Sequence, residues 1–271
     1  MNKKKIAKAA ATGFAALAAG YFAARKIAVR KAEKSSRELN ADNPYLNNDA
    51  PASENKAMNS YEASLKDRID SVMAYCGIVA LSPVLLGVSA AIYLDDPGPV
   101  FFKQKRIGKN KEYFELYKFR SMKMSTPHDM PTHMLSNPDQ YITKVGGFLR
   151  KSSLDELPQL LNIFMSQMSV IGPRPALWNQ DDLIAERDRY GANDVKPGLT
   201  GLAQISGRDE LEIDVKAKID GDYVKALKSN SIDAFIMDVK CFAGTISSVL
   251  RHDGVVEGGT GELAKKSAGN S

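Results

Sequence analysis

The chain has few of the residues that build covalently or metal-stabilised folds: its 271 residues include two cysteines, three histidines and one tryptophan. Two cysteines cannot form the disulfide framework of a small secreted domain. Because Cys76 lies inside an apolar run, we expect both it and Cys241 to be reduced and structural. The histidines, at positions 128, 133 and 252, lack metal-ligand spacing. The composition therefore argues against a disulfide-rich secreted domain and against a zinc site.

Long apolar runs are also scarce, and the most prominent, residues 71–94, has a proline near its centre. As a helix rising about 1.5 Å per residue, this run would reach roughly 36 Å, more than the ~30 Å hydrocarbon core of a bilayer. Pro83 cannot donate a backbone hydrogen bond, which predicts a kink, and the Ser82 hydroxyl could satisfy a freed backbone group. The run predicts a membrane anchor, either a kinked span or a re-entrant helix.

The N-terminal region, residues 1–30, combines three lysines at positions 3–5 with an alanine-rich uncharged stretch at 9–24. A signal peptide, a short span and an interfacial helix all have this pattern. Because cations follow the stretch at once and alanine is weakly apolar, we favour an interfacial or short anchoring helix. Residues 31–60 are polar and aperiodic, which predicts a flexible linker, and the Gly-rich tail at 254–271 predicts disorder.

Charge is unevenly distributed along the chain, although the net charge of +5 is modest. Residues 101–123, directly after the anchor, hold eight lysines and arginines against two glutamates. Such a stretch suits lipid headgroups or the phosphates of a nucleotide, and the plainer alternative is a solvated surface. We do not expect nucleic-acid binding, because the cations cluster beside a lipid anchor and no recognised binding motif is present.

The local patterns predict an α+β fold that is mainly helical. Residues 100–104 and 114–119 have the pattern of two strands, and Gly108-Lys109-Asn110 supplies a turn between them, so we expect a small β-hairpin. Residues 125–139 contain three prolines and predict a surface loop. Helical patterns follow at residues 140–149, 155–165, 179–190, 211–228 and 232–250. The last has one apolar face, which we expect to pack in the core, with membrane contact as the alternative.

The densest chemistry lies at Asp155 and Glu156, between the basic pair Arg150-Lys151 and a helical pattern. Ser153 and Glu156 match a helix capping box, which would make the acids purely structural. Pro158 fits the start of a helix better if Asp155 is the cap, which would place both carboxylates at the positive helix end near Arg150 and keep them ionised. An ionised carboxylate beside a cation can attack phosphorus or hold Mg²⁺.

Two further segments suit phosphate binding. Gly172-Pro173-Arg174-Pro175 holds an arginine in a rigid frame, and its guanidinium could bind phosphate through two donors. Residues 196–208 combine glycines with polar and cationic groups and could present backbone N–H groups to an anion. Each segment also has a purely structural interpretation as a turn.

Together, and in this order, these segments resemble the bacterial sugar transferase family, in its monotopic (small) phosphoglycosyl transferase form. The resemblance covers residues 60–250 and is most specific at Ser-Leu-Asp-Glu-Leu-Pro-Gln, residues 153–159, and at residues 172–175. It implies a re-entrant membrane helix at residues 61–98 and a compact cytosolic catalytic domain at residues 99–253, on the cytoplasmic face of the cell membrane. It also implies transfer of a phospho-sugar from a UDP-sugar to a polyprenyl (undecaprenyl) phosphate, with release of UMP, as the first membrane step of surface polysaccharide or glycoconjugate synthesis.

The resemblance implies a role for each site residue. Asp155 would form a covalent aspartyl-phosphosugar intermediate, and Glu156 would hold Mg²⁺. The residues implied in substrate or phosphate binding are Arg150, Arg174, Lys118, Arg120, Gln204, Arg208 and Asp220. Leu202 stands where the family often has tryptophan, which removes a stacking role there.

Two other functions are compatible with the same residues. A non-catalytic scaffold could use the basic stretch to recruit a polysaccharide assembly complex at the membrane. A Mg²⁺-dependent nucleotide hydrolase would release UMP without a lipid acceptor. Neither the sugar nor the pathway follows from the sequence, and a homo-oligomer is left open.

Overall fold

The computed structural model describes residues 3–46, 61–126, 138–207 and 211–250. Predictions for Arg208, for residues 47–60 of the linker, for most of the proline-rich loop and for the tail lie outside these residues. The helices are α1 (Lys3–Leu39), α2 (Lys66–Asp95), α3 (Lys144–Lys151), α4 (Gln159–Phe164), α5 (Asp181–Asp188), α6 (Leu202–Ser206), α7 (Ile213–Leu227) and α8 (Ser231–Leu250). The strands are β1 (Phe101–Ile107), β2 (Tyr113–Phe119), β3 (Ser169–Ile171) and β4 (Gly198–Thr200). The predicted mainly helical α+β fold is confirmed at this level.

The predicted hairpin is present and slightly longer than expected. Strands β1 and β2 pair antiparallel, from Phe101 opposite Phe119 to Ile107 opposite Tyr113. The turn between them passes through Asn110 at φ 54°, a left-handed conformation that asparagine tolerates better than most residues. Strand β1 extends to Ile107, whose N–H donates to the carbonyl of Ala176 at 3.0 Å.

The outer edge of β2 is capped by two side-chain amides. Asn40 accepts from the N–H of Tyr113 at 2.8 Å and donates to its carbonyl at 3.0 Å. Further along the strand, Asn162 accepts from the N–H of Tyr117 at 3.0 Å and donates to the carbonyl of Glu115 at 2.6 Å. Each amide takes the place of backbone groups of a neighbouring strand, so these four groups of the edge are satisfied without a third strand.

A second sheet was not predicted. Strands β3 and β4 pair in parallel, with Ser169 opposite Gly198 and Ile171 opposite Thr200. The pairing brings backbones unusually close: a Cβ on Gly198 would lie 2.1 Å from the nitrogen of Gly172. Glycine at these positions is therefore required for the two segments to meet.

Helix α2 is one helix from Lys66 to Asp95 with Pro83 inside it, and Ser82 Oγ donates to the carbonyl of Val79 at 2.8 Å. Within the described residues, it is the helix long and apolar enough to cross a membrane. Its middle is exposed, with Val79 at 56% and Leu86 at 71% exposure. The predicted kink stays a prediction.

Both ends of α2 are fixed to the rest of the chain by polar contacts. Near its start, Asp67 pairs with Lys196 at 2.6 Å and with Arg25 at 2.7 Å. Directly after its end, Asp96 pairs with Arg120 of the hairpin at 2.6 Å. Its first half packs on α4 and its second half on α3 and the residues that follow α3. The two ends of the apolar helix therefore bind one and the same folded unit.

Helix α1 corrects the predicted domain boundaries. It continues to Leu39, so the first part of the predicted flexible linker, from residue 31, is helical. Tyr21 donates to Ser71 Oγ at 3.0 Å and lies edge-on to the rings of Tyr75 and Phe164. The polarity that suggested a linker belongs to the solvated face of this helix. The helix packs against α2 and β2.

Helix α8 differs from the expectation that its apolar face packs in the core. Six of its large apolar residues are at least 43% exposed: Ile232, Phe235, Ile236, Val239, Phe242 and Ile246. The helix packs instead through Ala234, Asp238 and Cys241, which lie on one stripe and are buried. Asp238 accepts hydrogen bonds from Tyr61, Lys66 and Tyr223, and this buried network sets which face turns inward. The apolar face is therefore not in the core, and its contact with a membrane stays a prediction.

Candidate active site

The paired carboxylates Asp155 and Glu156 lie in a single 3₁₀ turn, Leu154–Glu156, between α3 and α4. Leu154 and Leu157, on either side of the pair, pack against the cluster that contains Leu149. These two leucines anchor the turn, so the orientation of the acids is set by apolar packing.

The helix boundary predicted at this point is wrong by a few residues. Helix α4 begins at Gln159 with Pro158 as its N-cap, whereas the prediction had Asp155 as the cap. Pro158 at φ −62° suits a helix start and needs no N–H there. Ser153 precedes the 3₁₀ turn in a left-handed conformation and makes no side-chain capping bond, so the capping box is absent too.

Two cations from distant parts of the chain meet the acids. Lys118 Nζ, from β2, lies 3.0 Å from Glu156 Oε1 and 3.8 Å from Asp155 Oδ2. Arg174 Nη2, from the segment after β3, lies 3.0 Å from the same Glu156 oxygen. Asp155 is 4% exposed, and a third of the Arg174 side chain is accessible. The structure therefore joins Asp155, Glu156, Lys118 and Arg174 into one mixed-charge site with an accessible guanidinium.

The pKa of Glu156 shows how strong the local cation field is. Burial acts to raise the pKa of this carboxyl, but the charges and hydrogen bonds of Arg174 and Lys118 outweigh it and lower the pKa to about 2. Glu156 is therefore an anion at every physiological pH. It can hold cations in place but cannot donate a proton in a reaction near neutrality.

The backbone around Arg174 is held from two sides by other arginines. Arg187 Nη1, from α5, donates to the carbonyl of Arg174 at 2.9 Å, and Arg106 Nη1, from β1, donates to the carbonyl of Pro175 at 2.9 Å. The parallel pairing of β3 with β4 fixes the start of the same segment. The rigid frame predicted for this arginine thus depends on three separate elements.

Asp220, predicted to bind substrate or phosphate, is buried and is connected to the site through Arg187. It is 1% exposed and accepts from Arg187 Nε at 2.9 Å and from Nη2 at 2.6 Å. Burial raises the pKa of Asp220, and the Arg187 charge opposes that rise without cancelling it. Through Arg187 the carboxylate reaches the backbone of Arg174, so Asp220 has the geometry of a positioning residue. Arg187 was missed by the sequence reasoning, because nothing in its neighbourhood marks it among the charges of α5.

Three other predicted residues make contacts of different kinds. Arg150 Nε donates to Ser121 Oγ at 2.9 Å. Arg120 is 8% exposed and binds Asp96, so its contacts tie the hairpin to the end of α2. Gln204 donates to the carbonyl of Leu199 at 3.1 Å, and its buried Oε1 has no hydrogen-bond partner among the described residues. An orphaned acceptor of this kind is suited to an N–H or O–H of a ligand.

Asp155 and Glu156 are also the donors available for the expected Mg²⁺. Among the described residues there is no group of three or more His, Cys, Asp or Glu side chains that could hold a metal by itself. Mg²⁺ is commonly held by one or two carboxylates together with water and substrate phosphates. The donor set fits a magnesium ion that arrives with a phosphorylated substrate.

Comparisons with known proteins identify relatives of this chain. The family described as "Bacterial sugar transferase" matches residues 61–252. The sugar transferase EpsL of Bacillus subtilis (strain 168) is 37% identical over 192 residues, which cover 70% of this chain and 90% of that protein. The exopolysaccharide production protein PSS of Rhizobium leguminosarum bv. phaseoli is 35% identical over 198 residues, covering 69% of this chain and 95% of that protein.

A longer relative shares the same region. The UDP-glucose:undecaprenyl-phosphate glucose-1-phosphate transferase of Escherichia coli (strain K12) is 38% identical over 174 residues, which cover 59% of this chain. The match spans 36% of that protein, so this chain corresponds to about a third of its length. The extent of the family match and the near-complete coverage of the shorter relatives show that the chain belongs to the bacterial sugar transferase family.

Proposed function

We propose that the protein transfers a sugar 1-phosphate from a UDP-sugar to undecaprenyl phosphate and releases UMP, as the initiating step of exopolysaccharide synthesis. The observation that carries the proposal is the placement of Asp155 and Glu156 beside Lys118 and Arg174, in a domain packed on an apolar helix. One substrate carries a diphosphate and the other is a lipid. A cationic site on a membrane helix meets both requirements.

In the proposed mechanism, a carboxylate oxygen of Asp155 attacks the phosphorus that bears the sugar. The bond from that phosphorus to the bridging oxygen breaks, and UMP leaves with the electron pair. An oxygen of the lipid phosphate then attacks the same phosphorus, which frees Asp155 and yields the diphosphate-linked lipid sugar. This double displacement predicts ping-pong kinetics.

The charged neighbours have separate tasks in this mechanism. Lys118 lies 3.8 Å from Asp155, close enough to hold the nucleophile in place and to offset its charge as the anionic donor approaches. Arg174 has the accessible guanidinium that suits the diphosphate, and Gln204 has the free acceptor for a donor group of the substrate. Mg²⁺, held by Glu156 with or without Asp155, would supply further neutralisation of phosphate charge.

The contacts of α2 support a re-entrant helix. A straight span would place its two ends on opposite sides of the bilayer, about 30 Å apart. Asp67 and Asp96, at the two ends, both pair with residues of the same folded unit. We therefore place both ends on one side, with the kink at Pro83 turning the helix back, and assign that side to the cytoplasm, where UDP-sugars are made.

Two measurements test this proposal. Purified protein in nanodiscs with undecaprenyl phosphate should release UMP from at least one member of a panel of UDP-sugars, and Asp155→Asn should abolish that release. Asp194→Asn, which removes a surface partner of Lys228, is the matched control and should retain activity. No release by the unmodified protein would favour the scaffold, and release without a lipid product would favour the hydrolase.

For topology, single cysteines at positions 65 and 97 in a chain without Cys76 and Cys241 should both resist a membrane-impermeant maleimide in intact cells. Both should react in inverted vesicles. Labelling of one position alone from outside the cell would establish a true span and remove the re-entrant assignment.

A further inference from the structure

An apolar groove of about 410 Å³ lies between the second half of α2 and helix α3. Its walls include Gly87, Val88 and Ala91 of α2 and Lys144, Phe148 and Leu149 of α3. The volume falls in the range of about 300–1,000 Å³ that is usual for ligand pockets. Apart from the lysine, these residues offer hydrocarbon to an occupant, which therefore has to be largely apolar.

The wall of the groove that α2 forms has open space at Gly87. A Cβ built on Gly87 meets no atom within 4 Å, so the absence of a side chain at this position leaves room that the protein does not fill. Phe148 is 62% exposed at the other wall, although a large aromatic side chain is costly to leave in water. Both features suit a groove that is filled from the bilayer.

The groove and the catalytic turn share one apolar cluster. Leu149 is fully buried and belongs to the same cluster as Leu154 and Leu157, which hold Asp155 and Glu156. Helix α3 ends at Lys151, and three residues separate that end from Asp155. An apolar chain in the groove would therefore pack against the cluster that holds the reacting carboxylate.

We propose that this groove binds the first isoprenoid units of the polyprenyl phosphate acceptor. The inference rests on the proposed transferase function and assigns the lipid-tail subsite of the same site. In a polyprenyl phosphate the phosphate is joined directly to the first isoprene unit, so the first units must lie next to Asp155 during transfer. A phospholipid has no such constraint, and nothing in its chemistry would hold its acyl chain at the catalytic turn.

Filling the groove should separate the two half-reactions. Gly87→Leu places an apolar side chain in the open space without a clash at Cβ. Ala90→Leu is the matched control, since Ala90 is an exposed residue of the same helix and is not part of the groove wall. Each variant is reconstituted as full chain in nanodiscs and given a UDP-sugar that the unmodified protein accepts. UMP release is measured first without acceptor, as a stoichiometric burst, and then at increasing undecaprenyl phosphate.

We expect Gly87→Leu to keep a full burst and to lose at least tenfold in kcat/KM for undecaprenyl phosphate, while Ala90→Leu matches the unmodified protein in both. A normal kcat/KM for Gly87→Leu, or an equal loss in both variants, would overturn the groove assignment. A missing burst in the unmodified protein would instead overturn the proposed transferase mechanism. Phe148→Ala, which removes the other wall, should show the same selective loss as Gly87→Leu.

Discussion

Replacing Glu156 by glutamine is a direct test of the electrostatics of the site, because it removes one charge and keeps the shape. The carboxylate binds Lys118 and Arg174 at 3.0 Å each and is 21% exposed. Its pKa falls from an ordinary 4.5 to about 2. At about 1.4 kcal/mol per pKa unit, this difference corresponds to about 3 kcal/mol of folding free energy at neutral pH.

The sign of the pH dependence follows from the direction of the change. A carboxyl whose pKa is lowered by folding stabilises the folded state at a pH above its unfolded pKa. That stabilisation is lost as the pH falls from about 4.5 toward 2. We therefore expect the stability difference between the unmodified protein and Glu156→Gln to be constant from pH 8 to pH 5, and to shrink to less than half by pH 3, at about 1.4 kcal/mol.

Thermal unfolding in detergent, followed by the fluorescence of Trp178, would measure the effect. For a chain of this size about 3 kcal/mol lowers Tm by roughly 10 °C. The control is Glu115→Gln, which removes a surface pair with Lys103 and should change stability by less than about 1 kcal/mol. A Tm difference for Glu156→Gln that is absent at pH 7, or unchanged between pH 7 and pH 3, would refute the reasoning.

Three further predictions concern a buried ion pair, the edge of β2 and the topology of α2. Asp220→Asn leaves the buried Arg187 charge without its anion and should cost about 3–5 kcal/mol in thermal unfolding; a change below 1 kcal/mol would contradict the pairing. Asn40→Ala uncovers the edge of β2 and should cost about 1–3 kcal/mol, with faster amide exchange at Tyr113 as its local signature; unchanged exchange would show that this cap is not needed. Pro83→Ala should move position 97 to the outer face of the membrane in a fraction of molecules. If maleimide labelling of position 97 is the same as in the unmodified protein, re-entry does not depend on the proline.

Local elements followed from the sequence because their signals are local. The hairpin has a turn at Gly108 and Asn110 directly between its strands, and α5 and α7 have a helical period that can be read without knowing their neighbours. Strands β3 and β4 are three residues long and far apart in the chain, so no periodicity reveals their pairing. Helical periodicity found the apolar stripe of α8 but could not show that the buried Asp238 network would turn another face inward.

The residues of the candidate site also differed in how clearly the sequence indicated them. Asp155, Glu156 and Arg174 stood out because each lies in a short, constrained string. Their meeting with Lys118 required the tertiary fold, since the lysine lies 38 residues before Glu156 on another element. Arg187 became visible only through its contacts with Asp220 and Arg174, both of them distant in sequence. The candidate reactive residues were thus easier to recognise in the sequence than the residues that hold them in place.

The account depends most on a covalent bond between Asp155 and the transferred phosphorus. The direct measurement is to incubate the protein, without lipid acceptor, with a UDP-sugar labelled with ³²P at the sugar-linked phosphate, and to locate the label by peptide mass spectrometry. We predict label on the peptide that contains Asp155, its loss when undecaprenyl phosphate is added, and no label in Asp155→Asn. Transfer of the sugar phosphate to lipid by the unmodified protein with no labelled Asp155, or label that persists in Asp155→Asn, would contradict the mechanism.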